Sequence, residues 1–218
     1  MYATSNFSER LKRNSNHAVK RAIDIFGSIV GIVLFSPVFL LVYLAIKIEE
    51  RGPAIFKQYR TGKDNEIFAI YKFRSMKMDA CQQSKATTYH WRNGVPDDFV
   101  FKAAGGNEDS VTRVGAFIRK YSLDELPQFF NILVGDMSFV GPRPEIVSIT
   151  DCYSPSQQKR LKVKPGLTGW AQVNGRSNMT HGQKIAFDIH YVNCWSIAMD
   201  IKILLMTVFK VIRGEGSV

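Results

Sequence analysis

Residues 23–46 read IDIFGSIVGIVLFSPVFLLVYLAI, and Asp24 is the single charged residue among them. At about 1.5 Å per residue, a straight helix of this length would extend roughly 36 Å, enough to cross a bilayer. The run is too long for a cleaved signal peptide, and no small-x-small cleavage site follows it. The segment therefore predicts a helix that stays in the mature protein and meets a membrane.

Basic residues flank this run on both sides. An excess of lysine and arginine marks the cytoplasmic side of a membrane segment, so balanced flanks indicate that both ends face the cytoplasm. The flanking residues are Arg10, Lys12, Arg13, Lys20 and Arg21 before the run, and Lys47, Arg51, Lys57, Arg60 and Lys63 after it.

Ser36 and Pro37 stand in the middle of the run. Proline has no N–H to donate to the carbonyl of Val33, and a serine can bond a carbonyl one turn earlier, so a sharp bend is predicted here. A bend at mid-depth between basic flanks predicts a re-entrant helix over residues 22–48 that enters and leaves by the same face. From these residues alone, a kinked spanning helix remains the alternative.

The whole chain has 218 residues, 45% of them hydrophobic, which is ample for one domain with its own core. Lysine and arginine total 29 against 19 acids, a formal charge of +10. That excess favours an anionic partner: nucleic acid, an anionic membrane surface or a phosphorylated small molecule. Three cysteines without a CxxC pair indicate neither a disulfide framework nor a zinc ribbon.

Beyond the apolar run, the pattern predicts an α+β, mainly helical fold. Residues 54–60 and 67–75 read as two short strands around a polar turn, hence a small β-hairpin. Residues 79–110 predict a loop with a short helix at its start, and short helices alternate with turns from residue 112 onward. Residues 200–213 predict an amphipathic helix with Ile203, Leu204, Val208, Val211 and Ile212 on one face, which packs on the core or lies in the membrane interface.

Two adjacent acids, Asp124 and Glu125, lie in the stretch YSLDELPQFFN at residues 121–131. Ser122 and Glu125 match the capping box S-x-x-E, so the acids could simply cap a helix. Pro127 fits best if Asp124 is the N-cap, because the first turn of a helix does not need that N–H. A helix N-terminus would also help to keep Asp124 ionised, ready to attack phosphorus or to bind a metal.

Arginines stand near this pair in the sequence. Arg113 and Arg119 precede it, and Arg143 follows between Pro142 and Pro144, which restrict the backbone on both sides. An arginine on a stiff loop suits a phosphate clamp, because its planar guanidinium can bind two oxygens. Carboxylates, arginines and a membrane helix in one chain indicate phosphoryl chemistry at a bilayer surface.

From about residue 20 to residue 214, the sequence closely resembles the bacterial sugar transferase family, the monotopic polyprenyl-phosphate sugar-1-phosphate transferases. The combination of SLDELPQ with GPRP is highly specific. The matching stretches are KRAIDIFG, the membrane Ser-Pro, GPAIFKQYRTGK, YKFRSMK, TRVGAFIRKYSLDELPQFFNILVGDMSFVGPRPE, VKPGLTGWAQVNGR and YVNCWSIAMDIKIL.

The resemblance implies transfer of a sugar phosphate from a UDP-sugar to undecaprenyl phosphate with release of UMP, the first membrane step of surface glycan synthesis. It implies a location on the cytoplasmic face of the bacterial inner membrane. Mg²⁺ is the implied cofactor, and the expected partners are the two substrates and membrane lipid, with no nucleic acid; an oligomer is left open. The domain expectation is a basic segment at 1–21, the re-entrant helix at 22–48, and a cytosolic catalytic domain with interfacial helices at 49–218.

The resemblance also implies roles for individual residues. The family's nucleophile falls on Asp124 and its acid partner on Glu125, and both are candidate Mg²⁺ ligands. Whether Glu125 binds the metal or assists the acceptor stays open. The phosphate-binding arginines fall on Arg119 and Arg143, and the helix break falls on Ser36 and Pro37.

Larger family members have several spanning helices before this domain, so the chain is expected to be the minimal form or an isolated catalytic domain. Two other classes of function are alternatives: a membrane-anchored nucleic-acid-binding module that uses the +10 charge, and a membrane scaffold in which SLDE only caps a helix. Scattered basic residues, the lack of a recognised single-strand motif and the acid pair argue against the nucleic-acid module.

Overall fold

The computed structural model describes residues 2–78, 89–100, 110–175 and 179–213. The short helix expected at the start of the 79–110 loop falls on residues outside this description, whereas residues 89–100 form turns and isolated bridges. The described elements are mostly helical with two small sheets, as the sequence predicted. They are α1 (Tyr2–Leu34), α2 (Ser36–Glu49), β1 (Ile55–Thr61), β2 (Ile67–Phe73), α3 (Arg113–Lys120), α4 (Gln128–Val134), β3 (Ser138–Val140), β4 (Glu145–Ile146), α5 (Val147–Thr150), β5 (Gly166–Thr168), α6 (Trp170–Asn174), α7 (His181–Cys194) and α8 (Ile197–Ile212).

The chain bends by 60° between α1 and α2, which confirms the bend predicted at Ser36 and Pro37. The Ser36 hydroxyl donates to the carbonyl of Val33 at 2.8 Å. Pro37 has no N–H to donate to that carbonyl. Within the described ranges, no single helix is long and apolar enough to cross a membrane; α1 from residue 15 and α2 meet that test only as a bent pair.

The segment over residues 1–21, predicted as a separate basic region, belongs from residue 2 onward to α1, which continues unbroken past it. Polar side chains near the middle of α1 bind the core. Lys20 donates to the carbonyl of Val140 at 3.0 Å. Asp24, the lone charge of the apolar run, accepts bonds from the Ser138 hydroxyl and the Phe139 N–H, both at 3.0 Å. These bonds fix α1 to β3.

The predicted β-hairpin is confirmed, with β1 and β2 antiparallel in a register from Ile55 opposite Phe73 to Thr61 opposite Ile67. The sequence did not predict the rest of the sheet structure. Strand β4 adds to β1 by pairing Glu145 with Thr61, and β3 pairs in parallel with β5. The addition of β4 brings the proline-rich loop at residues 141–144 beside the hairpin.

Helix α2 is joined to α3 by packing and by a cap. Val42 and Ile46 of α2 lie in one buried cluster with Phe73 of β2 and Ile118 of α3. The carboxylate of Glu49, the last residue of α2, accepts bonds from the first two N–H groups of α3 at 2.6 and 3.0 Å. An anion at a helix N-terminus satisfies N–H groups that have no partner within the helix.

Helix α8 packs by one face only. Ile203 is fully buried, and Leu204 packs in the same cluster. Val208 and Ile212, expected on that face, are instead more than half exposed, because at about 100° per residue they lie about 140° and about 180° around the helix from Ile203. The predicted face is therefore confirmed at Ile203 and Leu204 and wrong at Val208 and Ile212. A second, apolar face of α8 is exposed, and Ile201, Leu205 and Phe209 also lie there.

Candidate active site

The acid pair lies in a tight turn. Residues Leu123–Glu125 form a single 3₁₀ turn, and α4 begins only after Pro127, which is its N-cap residue. The expectation that Asp124 is an N-cap is therefore wrong. The capping box predicted at Ser122 and Glu125 does not form: Ser122 adopts a left-handed backbone with φ of 54°, and its side chain makes no cap bond. The left-handed residue turns the chain tightly, and both carboxylates are buried.

Glu125 is held by two cations at one oxygen. Its Oε1 accepts from the Lys72 ammonium and from the Arg143 guanidinium, each at 2.8 Å. Burial alone would raise the pKa of Glu125, but Arg143 and Lys72 attract the charged form and lower the pKa to about 2. Glu125 is therefore ionised throughout the physiological pH range.

The pKa of Asp124 is shifted in the opposite direction. Burial, followed by repulsion from Glu125, raises its pKa to about 6, while Lys72, Arg143 and Arg119 oppose that rise. The sequence predicted that the helix N-terminus would favour ionisation, whereas desolvation dominates in the folded chain. The carboxyl is still mostly ionised at neutral pH. Its Oδ1 is buried without a hydrogen-bond partner among the described residues, as expected for a carboxylate that reacts or binds a ligand.

Arg143 lies next to the acid pair, as the sequence predicted, but one of its N–H groups already binds Glu125. Its side chain is 46% exposed, so the guanidinium keeps further N–H groups for a phosphate. Arg160 is buried and donates to the carbonyl of Arg143 at 2.9 Å, which fixes the loop at residues 141–144. Arg160 also pairs with the buried Asp188 at 2.7 Å.

Arg119 lies in the last turn of α3, close enough for its charge to lower the pKa of Asp124. Its Nε donates to the hydroxyl of Ser75 at 2.8 Å. The structure thus brings Arg119 and Arg143 to the acid pair from separate segments. Ser36 and Pro37 form the bend between α1 and α2, and among the described residues they make no bond to the acid pair.

Sequence reasoning missed Lys72, Arg160 and Asp188. Lys72 lies two residues after the buried Ile70 on β2, so its side chain lies on the same, apolar face of the strand. A lysine in that position is a recognisable signal for a buried ion pair. Arg160 and Asp188 are far apart in the sequence, and no local pattern joins them.

The carboxylate oxygens of Asp124 and Glu125 suit Mg²⁺ together with ligands from a substrate. The described ranges contain no group of three histidine, cysteine or carboxylate side chains that could hold a metal. Mg²⁺ is commonly bound by one or two carboxylates together with substrate phosphates and water. The unpartnered Oδ1 of Asp124 and the Oε2 of Glu125, which neither ion pair uses, are hard oxygen donors of that kind. The residues therefore fit a metal that arrives with a phosphorylated ligand.

Fold and site together define a class: an α+β protein with a bent apolar helix pair and a carboxylate site lined by cations that suits a phosphorylated ligand. The sequence profile of the bacterial sugar transferase family matches residues 15–214. The chain belongs to that family.

Three curated relatives illustrate the similarity. The chain is 41% identical over 203 residues to the UDP-glucose:undecaprenyl-phosphate glucose-1-phosphate transferase of Escherichia coli (strain K12), covering 89% of this chain and 40% of the relative. It is 39% identical over 211 residues to the UDP-N-acetylgalactosamine-undecaprenyl-phosphate N-acetylgalactosaminephosphotransferase of Aeromonas hydrophila, covering 91% and 45%. It is 38% identical over 198 residues to the uncharacterized sugar transferase EpsL of Bacillus subtilis (strain 168), covering 91% and 89%.

The relatives differ in length. The chain spans less than half the length of the Escherichia coli and Aeromonas hydrophila proteins, but most of EpsL. The family match over residues 15–214 includes the bend, the hairpin and the acid pair.

Proposed function

We propose that this chain transfers a sugar 1-phosphate from a UDP-sugar to undecaprenyl phosphate, forming undecaprenyl-diphosphate-sugar and UMP, as the first membrane step of surface glycan synthesis. The single observation behind this proposal is the buried Asp124 carboxylate with an unpartnered oxygen, beside a Glu125 that two cations hold. The names of two relatives support the acceptor, because both include undecaprenyl phosphate while they differ in the sugar.

The reaction proceeds in two displacements at one phosphorus. An oxygen of Asp124 attacks the sugar-proximal phosphorus of the UDP-sugar, and the bond from that phosphorus to the bridging oxygen breaks. UMP leaves with that oxygen and its electron pair, and the phosphosugar is bound to Asp124. A phosphate oxygen of undecaprenyl phosphate then attacks the same phosphorus, and the Asp124 carboxylate leaves. A soluble nucleotide and a lipid can thus use one site in turn.

Glu125 acts as an anion in this scheme. A carboxyl with a pKa of about 2 is a poor general acid at neutral pH and a weak base. The ion pairs with Lys72 and Arg143 therefore favour metal binding and the positioning of these two cations over proton transfer. Mg²⁺ held by Asp124 and Glu125 would offset the charge of the diphosphate.

The proposed location is the cytoplasmic face of the bacterial inner membrane, with α1 and α2 as a re-entrant pair and α8 in the interface. The 60° bend and the exposed apolar side chains support this placement. Phe26, Val33, Leu34 and Leu41 of the bent pair are each at least 66% exposed in the isolated chain. Burying such side chains in lipid stabilises by about 25 cal/mol per Å² of apolar surface.

Detergent-solubilised protein supplied with undecaprenyl phosphate, Mg²⁺ and a panel of UDP-sugars tests the proposed function. One UDP-sugar should give stoichiometric UMP and lipid-linked sugar phosphate. A nucleic-acid-binding module or a scaffold would not turn over. Absence of UMP with every sugar, from folded protein, would reject the proposal.

The re-entrant arrangement predicts that both chain ends face the cytoplasm. Single cysteines introduced at Ser5 and at Gly216, in a chain whose native cysteines are replaced by serine, should react only with reagent that reaches the cytoplasmic side. Periplasmic labelling of the residue 5 site alone would show a spanning helix. Replacing Ser36 with alanine and Pro37 with leucine restores an unbroken helix, so a fraction of that variant should gain periplasmic labelling at residue 5.

The pKa of Asp124 predicts the acid limb of the pH profile. With a pKa of about 6 in the free enzyme, the attacking carboxylate is lost as the pH falls through 6. The second-order rate constant for the single burst of UMP release, obtained from its dependence on UDP-sugar concentration, should therefore fall about tenfold per pH unit below that value. The measurement is made without lipid acceptor, because a phosphomonoester itself titrates near pH 6. A flat profile between pH 7 and pH 5 would contradict the assignment of Asp124.

A further inference from the structure

Helix α7 is fixed against the loop that contains Arg143. A capping box starts the helix: the Thr180 hydroxyl accepts from the N–H of Gln183, and the Gln183 side chain accepts from the N–H of Thr180. Further along, Asp188 binds Arg160, which donates to the carbonyl of Arg143. The side of α7 that presents Asp188 therefore faces the loop whose arginine binds Glu125.

Lys184 lies one helical turn before Asp188, on the same side of α7. It is half-buried. Burial lowers its pKa, Glu145 and Asp188 attract its charge, and Arg160 and Arg143 repel it. The four-residue spacing from Asp188 places Lys184 on the side of α7 that is joined through Arg160 to the Arg143 loop.

Lys184 makes no side-chain hydrogen bond and no ion pair within 4 Å in the part of the chain that the structure describes. Glu145, the acid that attracts it most, accepts a bond from its neighbouring N–H and lies 3.9 Å from Arg60 instead. A partly desolvated ammonium without a direct partner is unfavourable. It is the arrangement expected where an anion completes the site.

The other cations of the site are already engaged. Lys72 and Arg143 share one oxygen of Glu125, and Arg119 donates its Nε–H to Ser75. A nucleotide sugar adds a diphosphate of which both phosphates are ionised at neutral pH. An unpaired cation nearby would add to the charge neutralisation that the remaining N–H groups of Arg143 provide. Lys184 is half-buried, lies on the side of α7 that faces the Arg143 loop, and has no partner among the described residues.

We infer that Lys184 binds phosphate oxygens of the substrate. This inference rests on the proposed function, and it adds a residue of α7 to a site otherwise built from β2, α3, the 3₁₀ turn and the proline-rich loop. The ligand is an ionised phosphate, which belongs either to the diphosphate of the donor or to the phosphate of the lipid acceptor.

The test compares Lys184→Gln and Lys184→Arg with a matched control, Lys159→Gln, at an exposed lysine outside α7. KM is measured separately for the UDP-sugar and for undecaprenyl phosphate. The Kd values of UDP and of a short-chain polyprenyl phosphate are measured by calorimetry, so that binding is read without turnover. Lys184→Gln should raise one KM and the matching Kd by about tenfold, as for a lost charged hydrogen bond, with kcat within threefold. Lys184→Arg should recover most of the affinity, and the control should change nothing.

Weakened UDP binding assigns Lys184 to the donor, and weakened binding of the polyprenyl phosphate assigns it to the acceptor. Unchanged Kd values for both ligands overturn the inference. A lower midpoint of thermal unfolding with unchanged Kd values would show that Lys184 only balances the charge of Glu145. If wild-type protein releases no UMP from any UDP-sugar, the proposed function fails, and the two Kd values still decide the role of Lys184.

Discussion

Asp124→Asn should abolish turnover, lowering kcat for UMP release at least about 10³-fold, because an amide has no anionic oxygen to attack phosphorus. The substitution is nearly isosteric and removes a charge whose burial is unfavourable, so the fold should be retained. Asp151→Asn, at an exposed acid outside the pair, is the matched control and should behave as wild type.

The same prediction has a direct chemical readout. Wild-type protein incubated with the correct UDP-sugar, without lipid acceptor, should gain the mass of one sugar phosphate, and peptide mapping should localise it to Asp124. Asp124→Asn should show no such gain. Direct transfer within a ternary complex predicts neither an adduct nor UMP in the absence of lipid. That pattern, together with normal turnover in the complete system, would overturn the role of Asp124 as nucleophile and leave the overall reaction intact.

Arg143→Lys should lower kcat/KM by about 10² or more although the charge is kept. Arg143 uses one N–H for Glu125, and its planar guanidinium offers further N–H groups to a phosphate at the same time. A lysine ammonium is a point charge on a flexible stem and cannot reproduce both contacts at fixed spacing. Steady-state kinetics with the UDP-sugar varied measure the effect.

Arg113→Lys is the matched control, because Arg113 is an exposed arginine at the start of α3. It should retain wild-type kinetics. Near wild-type turnover in Arg143→Lys would remove Arg143 from the site. If Arg143 only fixes the proline turn, the variant would instead show a lower midpoint of unfolding with normal turnover.

Features that depend on a residue's own covalent chemistry were predictable from the sequence. Pro37 lacks an N–H wherever it stands, so the bend at residues 34–37 follows from the local sequence, and the bond from Ser36 to Val33 is equally local. Strands β1 and β2 follow from alternation and a polar turn. The acid pair and Arg143 stood out by residue type and spacing, and the structure places them together.

The tertiary structure alone decided the electrostatic state of the site. Lys72 and Arg143 come from segments far apart in the chain and meet at one oxygen of Glu125, and Arg160 joins the Arg143 loop to Asp188 on α7. The sequence placed Asp124 at a helix N-terminus and expected that dipole to favour ionisation. Folding instead buries it in a 3₁₀ turn, and its pKa rises. The physical reason is that desolvation and charge–charge energies depend on which distant groups surround a carboxyl, and local sequence patterns do not specify those neighbours.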